Sequence, residues 1–339
     1  MNNFLNAAFK GLCDVTCVNE ILVSLRRSDL LVLKYHGVLA QSRADRWSYE
    51  NAVDADSFRS QLRWLKQHLA PTDLAGLRRY YKGEWTERKP PVLVTFDDGY
   101  GNNLTVAAPI LREEAVPALF FLITGYVGTP RVLWNHEVLM RVLHWPELEI
   151  AMPSGGPSAL PPEPHARRAF SDKINQACKR LTEERLAEYL QFLRGKTPSV
   201  EVMDDPEARA FLRWDQVREL AGMGFEIGSH TVEHPILSRM TRARVATELR
   251  ESKAAIEREL EQPCSAIAYP YGSAREVNET VFEEVRTSGY DWAFMTTPVW
   301  QKAGGDTHRI SRIGFPGHTD LATFKFYASG LHTRLSSAT

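Results

Sequence analysis

The chain has 339 residues, 43% hydrophobic and 24% charged, a globular composition that fits one large domain or two modest ones. Its formal net charge of -1, from 41 basic and 42 acidic residues, argues against nucleic acid as a partner. It contains no apolar run long enough for a membrane-spanning helix and begins without a secretory signal, so the sequence predicts a cytoplasmic protein without a transmembrane segment.

We expect residues 1–29 to form an N-terminal helical segment that packs against the domain. The alternative is that this segment makes peripheral contact with a membrane surface. Short apolar strands then alternate with amphipathic helices. The strands are predicted at 30–35, 92–96, 117–124, 225–230, 265–270 and 292–297, and the helices at 54–69, 103–115, 214–222 and 241–261. This alternation predicts a parallel, barrel-like α/β fold, in which reactive residues gather at the carboxyl ends of the strands.

One stretch interrupts this pattern. Residues 151–165 are rich in Pro, Gly and Ser, and two charged helical runs follow at 166–180 and 182–194. We expect a helical insertion at about 130–210 within a domain that spans 30–325, followed by a C-terminal tail at 326–339.

Two adjacent acids, Asp97 and Asp98, directly follow the apolar strand 92–96. Neighbouring side chains on a strand point to opposite faces, so the two carboxylates are expected to do different work. His230 and His234 follow another strand, and on a helical turn their spacing places both imidazoles on one side. Two histidines and one carboxylate suit a divalent cation, and the second carboxylate suits a general base. The alternatives are a helix cap for one acid and structural roles for the histidines.

Three motifs carry a family resemblance. "TFDDGY" (95–100), "HTVEH" (230–234) and "AYPYG" (268–272) resemble, in this order, the polysaccharide deacetylase (NodB-homology) family, carbohydrate esterase family four. The resemblance implies a distorted, seven-stranded (β/α) barrel with a divalent metal, most often Zn²⁺, with Co²⁺, Ni²⁺ or Mn²⁺ as alternatives. It also implies removal of acetyl groups from N-acetylated sugars.

The resemblance also implies roles for single residues. Asp97 matches the general base, and three residues match the metal ligands: Asp98, His230 and His234. Pro270 and Tyr271 match the third motif, in which the tyrosine backbone N–H helps to hold the developing oxyanion and so contributes to catalysis and substrate binding.

The chain departs from the family pattern in three places. Ala268 and Tyr269 stand where many members carry the Arg that orients the catalytic Asp. The fourth motif is echoed only by "YDWAF" (290–294), in which Asp291 is equally well a solvated turn residue. The late general-acid His has no clean match, although His308 and His318 lie in the C-terminal loops.

A candidate acid lies instead near the N-terminus. "LKYHGV" (33–38) resembles the "YHxV" strand end of a family subgroup, which implies that His36 is the general acid, with a structural role as the alternative.

Further residues are candidates for substrate contacts. Trp134, Trp300 and Tyr271 are candidates for sugar contacts, with packing in the core as the alternative for the tryptophans. Arg309 and Arg312 are interpreted as solvated surface residues or as contacts to anionic substrate groups.

These motifs predict a metal-dependent hydrolase that removes an N-acetyl group from a sugar in a glycan or in a lipid- or nucleotide-linked precursor. Two alternatives remain at this stage. One is a deformylase or another amide or ester hydrolase on the same barrel, and the other is a carbohydrate-binding pseudoenzyme.

Overall fold

A computed structural model describes residues 17–41, 52–202, 205–317 and 319–336, with the backbone alone for 334–336. The chain divides into two compact units, one formed by Met1–Thr129 with Phe211–Thr339 and the other by Pro130–Ala210. The domain limits given by the sequence stay a prediction.

The strands of the described residues are short. They are β1 (Asp29–Tyr35), β2 (Gly37–Leu39), β3 (Ala52–Asp54), β4 (Ala70–Thr72), β5 (Pro91–Phe96), β6 (Ala118–Leu122), β7 (Glu149–Ala151), β8 (Pro157–Ala159), β9 (Glu226–Ser229), β10 (Ala266–Ala268), β11 (Trp292–Phe294), β12 (Gln301–Lys302) and β13 (Ile313–Gly314). Each strand of the predicted set is present within a few residues of its expected limits.

The main sheet of the first unit is built mostly of parallel strands. Its strands follow the order β11-β10-β9-β6-β5-β1, and every neighbouring pair in this run is parallel. At the far end, Ile310 bridges to Phe294 of β11, while β13 pairs with β1. Residues 310–314 therefore join the two ends of the run and complete seven parallel positions, which confirms the predicted barrel. β4 adds to β5, and β12 adds antiparallel to β1.

Both faces of the sheet are buried, which explains why the strands are apolar without interruption. All six residues of β5 and all five of β6 are buried. Leu93, Leu119 and Phe121 pack in one hydrophobic cluster, whereas Val94 and Phe120 belong to a larger cluster that also contains helix residues. Alternate positions therefore point to opposite layers, and a side chain that continues the Leu93 face enters the smaller cluster.

The helices of the first unit lie between the strands. They span Val18–Ser24, Ala55–His68, Leu74–Tyr81, Ala108–Glu113, Trp214–Gly222, Arg242–Leu260, Glu279–Thr287, Leu321–Ala328 and Leu331–Ser336, and a π-helical turn at Asn103–Ala107 leads into the fourth. Asp54 caps the second helix by accepting from Ser57 N at 2.9 Å. Its apolar stripe, Phe58, Leu62 and Leu65, is fully buried, as the helical spacing predicts.

The second unit has its own small core. Its helices span Trp134–Leu143, Pro164–Cys178, Glu183–Lys196 and Pro206–Arg209, and β7 and β8 form an antiparallel hairpin. Buried Val138, Val142, Ile174 and Leu193 pack together between the helices. Both charged helical runs expected in this part of the sequence are therefore present.

The two ends of the described chain are helical. Residues 1–16 of the predicted N-terminal segment lie outside the described residues. At the other end, the helix Leu321–Ala328 crosses the expected start of the tail at 326, and Phe326 and Ala328 are buried. Residues 326–328 thus pack as part of the first unit. No helix in the described ranges is long and apolar enough to cross a membrane.

Candidate active site

Asp97 and Asp98 diverge at the end of β5. Asp97 extends the strand, since its N–H donates to Tyr35 O at 2.9 Å, and its side chain continues the face of Leu93. Asp98 turns away with φ 72°, a left-handed conformation that is costly outside glycine, and Gly99 follows with φ 79°. The positive φ of Gly99 would strain any other residue, and its Cβ would lie 2.7 Å from Leu122 Cδ2, so the turn favours glycine.

His230 and His234 approach each other on a loop. His230 follows β9, and its Nδ1 lies 2.7 Å from the Ala268 carbonyl, which can only accept, so Nδ1 carries the proton and Nε2 keeps its lone pair. The ring centroids of the two histidines are 4.8 Å apart. The expectation of a helical turn is wrong, because Thr231 and His234 adopt φ 69° and 56°. The two imidazoles are close because the loop contains these two residues in the left-handed conformation.

Three potential ligands converge on one point. Asp98 Oδ1 lies 3.6 Å from His230 Nε2 and 3.7 Å from His234 Nε2, and all three residues are buried. Two ligands held tetrahedrally at about 2.0–2.1 Å from zinc are about 3.4 Å apart, so the spacing fits a metal of this size. Burial lowers the pKa of His230 to about 4 and that of His234 well below its usual value, despite the opposing charge of Asp97. Both imidazoles are therefore neutral near pH 7, the form that binds metals.

Arg312 supports Asp97 in place of the missing family arginine. Its Nη1 and Nη2 donate to Asp97 Oδ1 at 2.6 Å and Oδ2 at 2.8 Å, and the guanidinium also donates to Met295 O and Thr95 Oγ1. The interpretation of Arg312 as a solvated surface residue is wrong, because its side chain is 0% exposed. Burial acts to raise the pKa of Asp97, but the charge of Arg312 and the hydrogen bonds that it donates lower it well below its usual value. Asp97 is therefore ionised throughout the neutral range.

His36 lies on the same side of the barrel. It follows β1, and its carbonyl accepts from Asn103 Nδ2 at 2.7 Å, while Asn102 Oδ1 accepts from Val38 N at 3.3 Å. Burial and the charge of Lys34 lower the pKa of His36 to about 3, against the raising effect of Asp97. Two buried asparagines of the "GYGNN" stretch thus fix the strand end that carries His36. The role of His36 as the acid stays a prediction.

A cavity of about 410 Å³ opens beside His36 and Arg312. Lys34, Thr296, Phe315 and Tyr327 are among its other lining residues. It has both apolar and hydrogen-bonding walls, which suits a sugar ring.

Pro270 and Tyr271 form a tight turn next to the histidines. Gly272 N donates to Pro270 O at 2.6 Å and Tyr271 has φ 59°, the features of a γ-turn. The Tyr271 ring centroid lies 4.8 Å from that of His234. The turn therefore places the Tyr271 side chain beside the ligand cluster.

The two tryptophan candidates differ in their surroundings. Trp300 is 6% exposed, and its Nε1 donates to Ala328 O at 2.8 Å, so it packs in the core and the predicted sugar contact is not supported. Trp134 begins a helix of the second unit and packs against that unit's own cluster. Its proposed substrate contact stays a prediction.

Other candidates from the sequence lie in structural or surface positions. Asp291 is half exposed and pairs with Arg78 at 2.8 Å, in agreement with the solvated alternative. His308 Nε2 lies 2.8 Å from the Tyr290 carbonyl. Arg309 pairs with Glu279 on the surface. His318 lies outside the described residues.

Comparisons with known proteins identify relatives of this chain. A family model described as polysaccharide deacetylase matches residues 85–293. A Staphylococcus aureus poly-beta-1,6-N-acetyl-D-glucosamine N-deacetylase is 31% identical over 112 residues, which cover 30% of this chain and 39% of that relative. A putative polysaccharide deacetylase of Bacillus subtilis is 22% identical over 277 residues, covering 79% of this chain and 65% of the relative. The match to the first relative thus spans about two fifths of its length.

Solved structures share the fold. A Streptococcus pyogenes deacetylase in complex with acetate has a TM-score of 0.57 at 19% identity, covering 85% of this chain and 92% of that chain. IcaB from Ammonifex degensii has a TM-score of 0.56 at 21% identity, covering 89% and 97%. The family model covers more than half of the chain and includes both acids, both histidines and the Tyr271 turn. The chain therefore belongs to the polysaccharide deacetylase family.

Proposed function

We propose that this protein is a metal-dependent N-deacetylase that removes the acetyl group from an N-acetylated sugar in a glycan or glycan precursor. One observation carries the proposal: a buried, ionised carboxylate, Asp97, lies beside the cluster of Asp98, His230 and His234, with its Oδ2 3.9 Å from His230 Nε2. A ligand set and a separate base in one pocket are the parts that amide hydrolysis by activated water requires.

The ligand set would hold a divalent cation, with Zn²⁺ as the first candidate from its nitrogen and oxygen donors. Bound there, the metal would supply Lewis acidity, which polarises the amide carbonyl and lowers the pKa of water. Asp97 accepts the proton of the attacking water. The backbone N–H of Tyr271 donates to the oxygen on which negative charge develops.

His36 delivers a proton to the leaving nitrogen. With a pKa of about 3, its imidazole is neutral in the resting site. Negative charge that develops on the substrate raises the pKa of a neighbouring imidazole, as the charge of Asp97 already does. As the reaction proceeds, His36 therefore takes up the proton that Asp97 accepted from the water and passes it to the leaving nitrogen, which returns both residues to their resting states. The products are acetate and an amino sugar.

The names of the relatives supply the first substrate to test. The Staphylococcus aureus relative is named for poly-beta-1,6-N-acetyl-D-glucosamine, so oligomers of N-acetylglucosamine come first. Lipid-linked and nucleotide-linked N-acetylhexosamines come second. Formylated sugars complete the panel.

The test is release of acetate from these substrates by protein loaded with Zn²⁺, Co²⁺, Ni²⁺ or Mn²⁺. Asp97→Asn is expected to abolish turnover while metal still binds, and Asp291→Asn, a half-exposed acid, serves as the matched control and is expected to behave as wild type. Failure of the wild-type protein to bind any of the four metals would refute the proposal. Equal turnover by Asp97→Asn and wild type would remove Asp97 from the mechanism.

A further inference from the structure

We infer that Glu248 is a positioning residue that holds the loop 230–234 in the conformation that presents its histidines to the metal. This inference rests on the proposed function of the ligand cluster. Glu248 lies on the helix Arg242–Leu260 and is 1% exposed. Its Oε2 accepts from the backbone N–H groups of Val232 at 2.8 Å and Glu233 at 3.0 Å. The carboxylate therefore contacts the middle of the loop and touches neither histidine ring.

The loop requires external support because its backbone is strained. Thr231 and His234 both have positive φ values, 69° and 56°, which are costly for residues with a side chain. Such conformations persist only where surrounding contacts determine them. Two successive N–H groups beside a left-handed residue form a concave anion site, and the Glu248 carboxylate occupies it.

Other contacts hold the opposite edge of the loop. The Thr231 and Val232 carbonyls accept from Thr124 N at 3.0 Å and Gly125 N at 2.9 Å. A Cβ on Gly125 would lie 2.6 Å from Val232 O, so the two segments are in close contact. These bonds fix the carbonyls, and Glu248 fixes the N–H groups that face the helix. The loop is thus held between the segment that follows β6 and the helix Arg242–Leu260.

Residues one turn apart on the helix contribute to the same contact. Ser252, four residues after Glu248, lies 2.7 Å from Ser229 Oγ, which in turn accepts from Thr231 N at 3.1 Å. Arg244, four residues before Glu248, places Nη2 3.0 Å from Glu248 Oε1. An ordinary surface pair between Arg244 and Glu248 would leave the carboxylate in solvent. Here the carboxylate is buried, with Oε2 on the loop backbone and Oε1 facing Arg244, so the carboxylate contacts the loop in addition to its ion pair.

Loss of Glu248 is expected to weaken metal binding through His234, because this residue follows the anchored N–H groups directly. Residues that orient metal ligands without touching the metal typically contribute 10–100-fold to affinity. We expect Glu248→Ala to raise the Zn²⁺ dissociation constant by about this factor. Amide hydrogen exchange at Val232 and Glu233 in the metal-free protein should accelerate in the same variant.

The experiment measures Zn²⁺ affinity by competition with a chromophoric chelator in four variants. Glu248→Gln keeps an accepting oxygen and should stay near wild type, whereas Glu248→Asp keeps the charge, cannot reach both N–H groups and should resemble Glu248→Ala. Glu251→Ala, at an exposed acid on the same helix, is the matched control and should leave affinity unchanged. If Glu248→Ala does not fold, Glu248→Asp decides.

Dissociation constants of Glu248→Ala and Glu248→Asp within twofold of wild type would overturn the inference and leave the proposed function intact. A change in thermal stability without a change in affinity would do the same, since it would show a structural role alone. If the wild-type protein binds none of Zn²⁺, Co²⁺, Ni²⁺ and Mn²⁺, the proposed function itself fails, and amide exchange alone then tests whether Glu248 holds the loop.

Discussion

Replacement of Arg312 by methionine removes the charge that neutralises Asp97 and keeps a long side chain inside the barrel. The side chains of the pair are 0% and 4% exposed. Removal of one partner leaves the other as an uncompensated buried charge, so we expect the free energy of unfolding to fall by about 3–5 kcal/mol. The bonds to Met295 O and Thr95 Oγ1 are lost in the same variant.

The same substitution should change the pH dependence of the reaction. Burial acts to raise the pKa of Asp97, and Arg312 is the largest of the opposing effects. Without Arg312 the pKa of Asp97 rises, and a protonated Asp97 cannot accept a proton from water. We expect kcat/KM to fall and its acid limb to move to higher pH by about one unit or more. Arg312→Lys keeps the positive charge but loses the bidentate hydrogen bond, so it should shift the acid limb of the pH profile less than Arg312→Met does.

Urea denaturation of the metal-free protein and pH profiles of acetate release measure the two effects. Arg309→Met is the matched control, because Arg309 lies three residues earlier and its side chain is 40% exposed in surface pairs with Glu279 and Asp306. It should unfold within about 1 kcal/mol of wild type. A folded Arg312→Met protein with an unchanged acid limb would refute the argument that Arg312 keeps Asp97 ionised.

Three further predictions concern the pH dependence of stability, the acid and the core. The pKa of His230 falls from 6.5 to about 4 on folding, so between these values the unfolded chain binds a proton at this residue that the folded metal-free protein does not. His230 should therefore contribute about 3 kcal/mol to the fall in the free energy of unfolding as pH drops through this window, beside the contributions of His36 and His234; denaturation of wild type and His230→Asn at each pH measures this share as the difference between them. Asn103→Ala removes the donor to the His36 carbonyl and should lower kcat about tenfold or more with unchanged Zn²⁺ affinity; a parallel loss of affinity would mean that the whole site has moved. Trp300→Phe should cost about 1 kcal/mol through the lost bond to Ala328 O and leave KM unchanged, whereas a raised KM would restore Trp300 as a sugar contact.

The barrel could be predicted because its strands are apolar on both faces. Residues such as those of β5 and β6 leave no alternating pattern, and the intervening helices have clear apolar stripes. The ligand cluster could be predicted because the Asp pair and the two histidines each follow such a strand. The geometry of the histidine loop could not, since positive φ values at Thr231 and His234 depend on contacts with distant segments.

The pairing of Arg312 with Asp97 escaped prediction because the two residues lie 215 positions apart and the strand that follows Arg312, β13, has only two residues. An arginine in a charged C-terminal segment is usually solvated. The signal that was present is its position between Ile310 and Ile313, both fully buried, in a segment that joins β11 to β1. A charge enclosed by buried residues on a strand requires a buried partner, and Asp97 was the acid without one.

The proposed base and the proposed ligands of this site are supported by different parts of the barrel. Arg312, on the segment that completes the ring, controls the charge of Asp97, whereas Glu248, on the helix after β9, supports the loop of His230 and His234. The two supports share no contact, so their effects should separate: changes at Arg312 act on proton transfer, and changes at Glu248 act on metal affinity. Free-energy changes at independent sites add, so the corresponding factors multiply. The double variant at Arg312 and Glu248 should therefore lose activity by about the product of the factors by which the two single variants lose it. A clearly smaller combined loss would mean that metal binding and the ionisation of Asp97 are coupled through His230, which lies 3.9 Å from Asp97.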